Sequence, residues 1–204
     1  MDYVTHYFRK GALPFQSLSA LSESEALKIM ENLSGDSPLV SRFKQPKKYM
    51  EDRLETEEWL RNSFIKKGGQ PEAEYPFYTL LGTSDIVEEH AGSQYDKISI
   101  PISIFDEHDI TFTYPDSMVS YGTWKYKPTE HYQAEYHGRV FTLSEARVLL
   151  ISNVTELLGK KWTFSEQTLP YIEAQIWNHK KVLTYIGNRL IVELSRNDSI
   201  PVER

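Results

Sequence analysis

The sequence predicts an α+β fold: an antiparallel sheet or meander with about three main helices packed on it. Three observations carry this. Period-two alternation marks strands at 98–105, 110–114 and from 171 onward. Two capping boxes, Ser22 to Glu25 and Thr142 to Glu145, open helices, and Pro46 opens a third. Strand runs not separated by helices argue against a parallel doubly wound sheet.

Taken in order, residues 3–8 are β-branched and aromatic and read as an opening strand closed by Gly11 and Pro14. The first helix runs from its Ser22 cap to about Leu33, burying Ala26, Leu27, Ile29, Met30 and Leu33, and Gly35 ends it. The longest helix spans 47–67, with Met50, Leu54, Leu60, Phe64 and Ile65 inward and Tyr49 and Trp59 beside them; Gly68 and Gly69 stop it. A strand at 77–81 and a helical turn from Ser84 to His90 follow. Ile98, Ile100, Ile102 and Ile104 alternate with Ser99, Pro101, Ser103 and Phe105. Pro101 cannot donate to a ladder, so this strand belongs at a sheet edge or carries a bulge. Asp106, Glu107, His108 and Asp109 form a hairpin turn, because four consecutive side chains point apart and cannot converge on one ion. After the strand at 110–114, the Thr142 capping box opens a helix to about Leu158, stopped by Gly159. The C-terminal alternation at 171–177, 181–186 and 189–194, with Gly187-Asn188 between the last two, predicts an antiparallel hairpin.

Composition narrows the functional classes. A chain of 204 residues with no linker-like tract is read as one domain, 1–204, able to bury roughly 70% of its unfolded surface. The absence of cysteine excludes disulfides, thiolate metal sites and cysteine nucleophiles. Residues 1–6 lack the basic and apolar parts of a signal peptide, and no apolar run approaches membrane-spanning length. The expected location is therefore the cytoplasm, with no membrane partner. A formal charge of −6 opposes binding to a phosphate backbone, so no nucleic-acid partner is expected. Arg42, Lys44, Lys47 and Lys48, interrupted by Pro46 and followed by Glu51 and Asp52, read as a solvated helix entry. The generous aromatic content, with 13 Tyr and 4 Trp, suits pockets and interfaces alike.

No phosphate-binding glycine loop, dinucleotide fingerprint, nucleophile elbow or metal-binding helix motif is present, so no cofactor or metal is implied. The candidate chemistry lies at the ends of elements, where loops present side chains. In the first strand His6 and Phe8 share one face, and Tyr7 and Arg9 the other; His6 with Arg9 suits an anion or a proton, against the plainer reading of a rim histidine. Tyr114-Pro115-Asp116-Ser117 places an acid and a hydroxyl just after a strand, where Asp116 could equally bond turn N–H groups. His137 is the candidate base for Ser117, oriented by Asp116, and Arg139 the clamp for a carboxylate or phosphate. Glu173, an acid among apolar neighbours, is read as lying on a solvated outer face. The expected set is thus His137, Asp116 and Ser117 as catalytic groups, with Arg139, Tyr114, His6 and Arg9 binding a ligand.

Three strings, Thr5 to Gly11, Phe112 to Met118 and Tyr136 to Thr142, resemble those of a family of uncharacterised bacterial proteins, and the similarity covers most of residues 3–177. The resemblance implies a bacterial cytoplasmic protein; it brings no activity, cofactor or catalytic residue with it. Two functions are therefore held together. One is a binding or regulatory module, taking a small-molecule ligand or pairing with a second copy through the antiparallel meander. The alternative is a small-molecule hydrolase or group-transfer enzyme built on the 113–118 and 136–139 segments.

Overall fold

The computed structural model describes residues 2–33, 40–126, 132–159 and 171–197. Its strands are β1 Tyr3–Arg9, β2 Phe77–Leu81, β3 Tyr95–Pro101, β4 Ile110–Thr113, β5 Phe141–Thr142 and β6 Glu173–Ile176. They form one sheet in the order β3-β1-β2-β6-β4-β5, and every neighbouring pair is antiparallel. The helices are α1 Glu23–Leu33, α2 Pro46–Lys66, α3 Asp85–Ala91, α4 Ser117–Tyr126, α5 Leu143–Leu149, α6 Val154–Gly159 and α7 His179–Asn197. The fold class is α+β, as the sequence predicts. Pro101 stands on β3, an edge strand, opposite Tyr3. Among the described residues no helix is long and apolar enough to cross a membrane.

The register divides the sheet into two unlike faces. Thr79 against Ala174, Phe77 against Ile176 and Phe112 against Ala174 set one face apolar. Ala146 and Leu150 of α5, Leu157 of α6 and Val182 of α7 close over it. On the other face Tyr78 lies against Gln175, and Thr113 against Glu173. Thr5, Thr111, Thr113, Glu173 and Gln175 are all buried. Their cover is α2, whose Leu60 and Phe64 pack with Trp177 and Tyr78, and the start of α4. Alternation therefore separates a dry interior from a polar one, although both are closed to bulk water.

The polar interior overturns the predicted inward face of α2. Tyr49, Met50, Thr56, Glu57, Leu60 and Phe64 are its buried residues. Leu54 and Ile65, expected inside, are 51% and 43% exposed. Helical periodicity is kept, but Arg53 and Glu57 lie on the stripe that meets a polar sheet face.

Two further expectations fail for local reasons. Both capping boxes are present, yet the helix opened by Thr142 stops at Leu149. Ser152 Oγ and Asn153 Nδ2 take the Arg147 and Leu149 carbonyls, at 2.7 and 3.2 Å, and a 3₁₀ turn at Ile151–Asn153 separates α5 from α6. Side chains that bond backbone groups compete with helix continuation in this way. The predicted hairpin over 181–194 is instead the body of α7. Asn178 Oδ1 accepts the Lys181 N–H at 3.1 Å, an N-cap at the helix entry, and Val182, Tyr185 and Ile186 meet the apolar cluster at spacings of three and four.

Gly187 thus occupies a helix interior, not a turn, and among the described residues nothing beyond its chain neighbours and its own helix backbone lies within 4 Å of where its Cβ would stand. Gly187→Ala is expected to stabilise the protein by about 0.5–1 kcal/mol, raising Tm by roughly 2–4 °C per kcal/mol. A calorimetric scan showing a lower Tm would mean that the glycine serves something other than the helix.

Candidate functional site

The polar face of the sheet carries a cluster of ionisable groups assembled from five separate segments. Its first half is built on α2. Arg53 Nε lies 3.1 Å from Glu57 Oε1, one helical turn on. The same guanidinium donates to Ser19 Oγ at 2.8 Å, to Tyr49 OH at 3.2 Å and to Ser17 Oγ at 3.4 Å, and its Cζ stands 4.7 Å from the centre of the Tyr78 ring. Glu57 Oε1 also accepts Ser19 Oγ at 2.9 Å and Tyr78 OH at 3.1 Å. Burial works against the Arg53 charge, and Tyr49, Tyr78 and Glu57 more than restore it. Burial likewise holds the Tyr78 phenol protonated, well above its ordinary range.

The second half lies where α4 meets β6. A cis Tyr114–Pro115 bond leads into Asp116, whose Oδ1 accepts the Val119 N–H at 2.9 Å. The Ser117 N–H donates to Glu173 Oε1 at 3.2 Å, and Gln175 Nε2 donates to the same oxygen at 2.9 Å. Glu173 is 8% exposed. Burial first, and then the negative charge of Asp116, push its carboxyl up from 4.5 to about 7. Asp116 is raised as well, by burial, against the Val119 N–H and the Arg42 charge. The two carboxyls titrate as a pair. Burial and both carboxylates lift the Tyr171 phenol far out of its normal range.

The pair reaches solvent through Arg42, which is exposed, and through half-buried Asp116 and Tyr171. The Arg42 guanidinium is nonetheless hemmed in, 5.4 Å from the Phe43 ring centre and 5.8 Å from that of Tyr49. The Tyr49 phenol, against the opposing effect of burial, and then Tyr171 and Asp116 hold it charged. Arg42 is exposed together with Lys44, Lys47 and Lys48, as a solvated helix entry requires, and its guanidinium also feels the Asp116 charge. Two guanidinium groups face three carboxyls: Arg53 pairs with Glu57 and Arg42 feels Asp116, while Glu173 has N–H donors but no cation among the described residues.

Of the residues singled out from the sequence, Asp116 and Ser117 lie in this cluster. His137 does not join them. Its Nδ1 accepts the Gln133 N–H at 2.9 Å, and burial, opposed by Glu135, lowers its pKa to about 4. Asp116 has turned to the backbone N–H groups that start α4 and to Arg42, so no hydrogen bond links it to His137. Arg139 donates to the Glu135 carbonyl at 3.2 Å and lies 4.9 Å over the Phe141 ring. Tyr114 is wholly buried in the apolar cluster, its hydroxyl donating to the Leu157 carbonyl. His6 Nδ1 donates to the Tyr78 carbonyl at 3.0 Å, its Nε2 accepts the Phe15 N–H at 2.9 Å, and it stacks on Phe15; burial keeps it neutral. Arg9 is exposed at the end of β1. Glu173, read as outward-facing, is instead buried, with its carboxyl raised to about 7, because β6 lies inside the sheet between β2 and β4. Arg53, Glu57 and Gln175 were not singled out; the spacing of Arg53 and Glu57 by four was the one available signal.

Among the described residues no group of three or more His, Asp or Glu side chains is arranged to hold a metal ion. The fold and the cluster together define an α+β protein with two electrostatically coupled carboxyls, buried Glu173 and half-buried Asp116, at its polar sheet face. No protein-family model, curated protein or solved structure matches the chain.

Proposed function

We propose that the chain is an enzyme that acts on a small molecule by acid–base catalysis at Glu173 and Asp116, in the hydrolytic or group-transfer class. The observation that supports this is a buried carboxyl raised to about 7, with no ion-pair partner among the described residues, coupled to a second, half-buried carboxyl. A general acid or base works best when its pKa lies near the operating pH, and burial beside a like charge produces that condition. Glu173 exchanges the proton, and the negative charge of Asp116 keeps it available. Arg42, exposed and near enough to Asp116 to feel its charge, would hold a carboxylate or phosphate of the substrate. We place this chemistry in the bacterial cytoplasm, on the cysteine-free composition and the resemblance of three segments.

A binding module without turnover would use the same residues. Pairing with a second copy belongs to this second reading too, with α7 standing where the C-terminal hairpin was expected. The two functions separate experimentally. A thermal-shift screen of carboxylated and phosphorylated metabolites should give a compound that raises Tm in the wild type and not in Arg42→Ala. Turnover of that compound should show an apparent pKa near 7 and vanish in Glu173→Gln while binding persists. Binding without turnover favours the module, and hits unaffected by Arg42→Ala remove the site.

A further inference from the structure

A continuous chain of buried hydrogen bonds runs along the polar face toward Glu173. Trp177 Nε1 donates to Thr111 Oγ1 at 2.9 Å. Thr111 Oγ1 donates to Gln175 Oε1 at 3.0 Å. Gln175 Nε2 then donates to Thr113 Oγ1 and to Glu173 Oε1, both at 2.9 Å. Trp177, Thr111, Thr113 and Gln175 are fully buried, so water does not stand in for a missing partner.

The direction of this chain follows from chemistry at its far end. An indole N–H only donates, so the Thr111 oxygen must accept it. The threonine hydroxyl has a single hydrogen, which is left for Gln175, and the group it meets must be the amide oxygen. The amide nitrogen is thereby turned to Glu173. Glu173 Oε1 then faces two N–H donors, from Gln175 and Ser117, and has no room for a hydrogen of its own. When the carboxyl is protonated, the hydrogen sits on Oε2.

We propose that Gln175 is a positioning residue: its amide, oriented by Trp177 through Thr111, confines the exchangeable proton of Glu173 to Oε2. A carboxylic acid whose hydrogen can occupy either oxygen delivers it in two directions; here only one remains. The inference rests on the proposed function in taking Glu173 as the proton-exchanging group, but its test needs no substrate.

The test is a ¹³C NMR titration of the Glu173 side-chain carboxyl in the wild type, Thr111→Val, Thr111→Ser and Trp177→Phe. Without the Thr111 hydroxyl the Gln175 amide is free to reverse and present its oxygen to Glu173, which favours the protonated acid. The Glu173 midpoint in Thr111→Val should rise by about one unit or more. Trp177→Phe should raise it too, although Trp177 has no hydrogen bond to Glu173. Thr111→Ser restores the hydroxyl and should return the midpoint to the wild-type value. A midpoint that is unmoved or lowered in a folded Thr111→Val protein overturns the proposal. So does an equal shift in Thr111→Ser, which would mark a packing effect. If Trp177→Phe does not fold, the valine and serine variants decide alone. A wild-type midpoint near the ordinary glutamate value would sink the proposed function, while the relay is judged on the shifts between variants.

Discussion

Arg53→Ala is expected to destabilise the protein by about 3–5 kcal/mol, the cost of leaving one member of a buried ion pair alone. Glu57 is 4% exposed, and without the guanidinium its charge would keep only the Ser19 and Tyr78 hydroxyls. The substitution also strips donors from Ser17, Ser19 and Tyr49 and removes the cation from the Tyr78 ring. Against a total stability of about 5–15 kcal/mol, such a loss brings the native state close to its limit. Arg53→Met combined with Glu57→Leu should recover much of it, because a buried pair replaced by apolar groups of similar size is often neutral. Urea unfolding of Arg53→Met, Glu57→Leu and the double variant gives the coupling directly. A loss below about 1 kcal/mol for Arg53→Ala would show that the pair behaves as a solvated surface bridge.

Glu173→Gln is expected to change how stability depends on pH. The folded carboxyl titrates near 7, against 4.5 for an ordinary glutamate. Between those values the unfolded chain has released its proton and the folded protein keeps it. The contribution is therefore fully present below 4.5 and is lost as pH rises through 7. At about 1.4 kcal/mol per pH unit, the whole interval corresponds to about 3 kcal/mol. Glutamine cannot ionise, so its advantage over the wild type should widen by roughly that amount between pH 4.5 and 8. His137 acts in the opposite sense across the same range: its folded pKa of about 4 gives stability present above 6.5 and lost as pH falls through 4. The wild-type profile alone is for that reason partly cancelled; the difference between the two proteins removes the His137 part and reports the coupled Glu173–Asp116 pair. Equal slopes from pH 5 to 8 would mean that Glu173 is ionised in the folded state.

What was legible in the sequence was local. Capping boxes need only a hydroxyl and a carboxylate three residues apart, and Pro101 announces an edge strand by lacking a donor. The C-terminal helix was misread because Val182, Tyr185 and Ile186 satisfy a helical spacing inside a run that also alternates. Asn178, its cap, was the clue that separates the two. The site was legible only at Asp116 and Ser117, where a proline turn meets a helix start. Glu173 stood out as an acid among apolar residues, but which way it points depends on β6 pairing with strands 60 to 100 positions earlier in the chain, as Thr113 with Glu173 and Thr79 with Ala174. Arg53 and Glu57 look like any solvated helical pair until the sheet beneath them proves polar.

The place of β6 bears on how the protein is made. It is the last of the described strands in sequence, yet it lies between β2 and β4. As synthesis proceeds from the N-terminus, β3-β1-β2 and β4-β5 are available as two half-sheets, each with an open inner edge. Such edges invite pairing with other chains, so the nascent protein is most vulnerable before residues 173–176 leave the ribosome. Their arrival then joins both halves across long sequence separations, the kind of step that slows folding. The strand that closes the sheet also delivers Glu173, so a half-made chain has no carboxyl pair, and the site comes into being only with the finished fold.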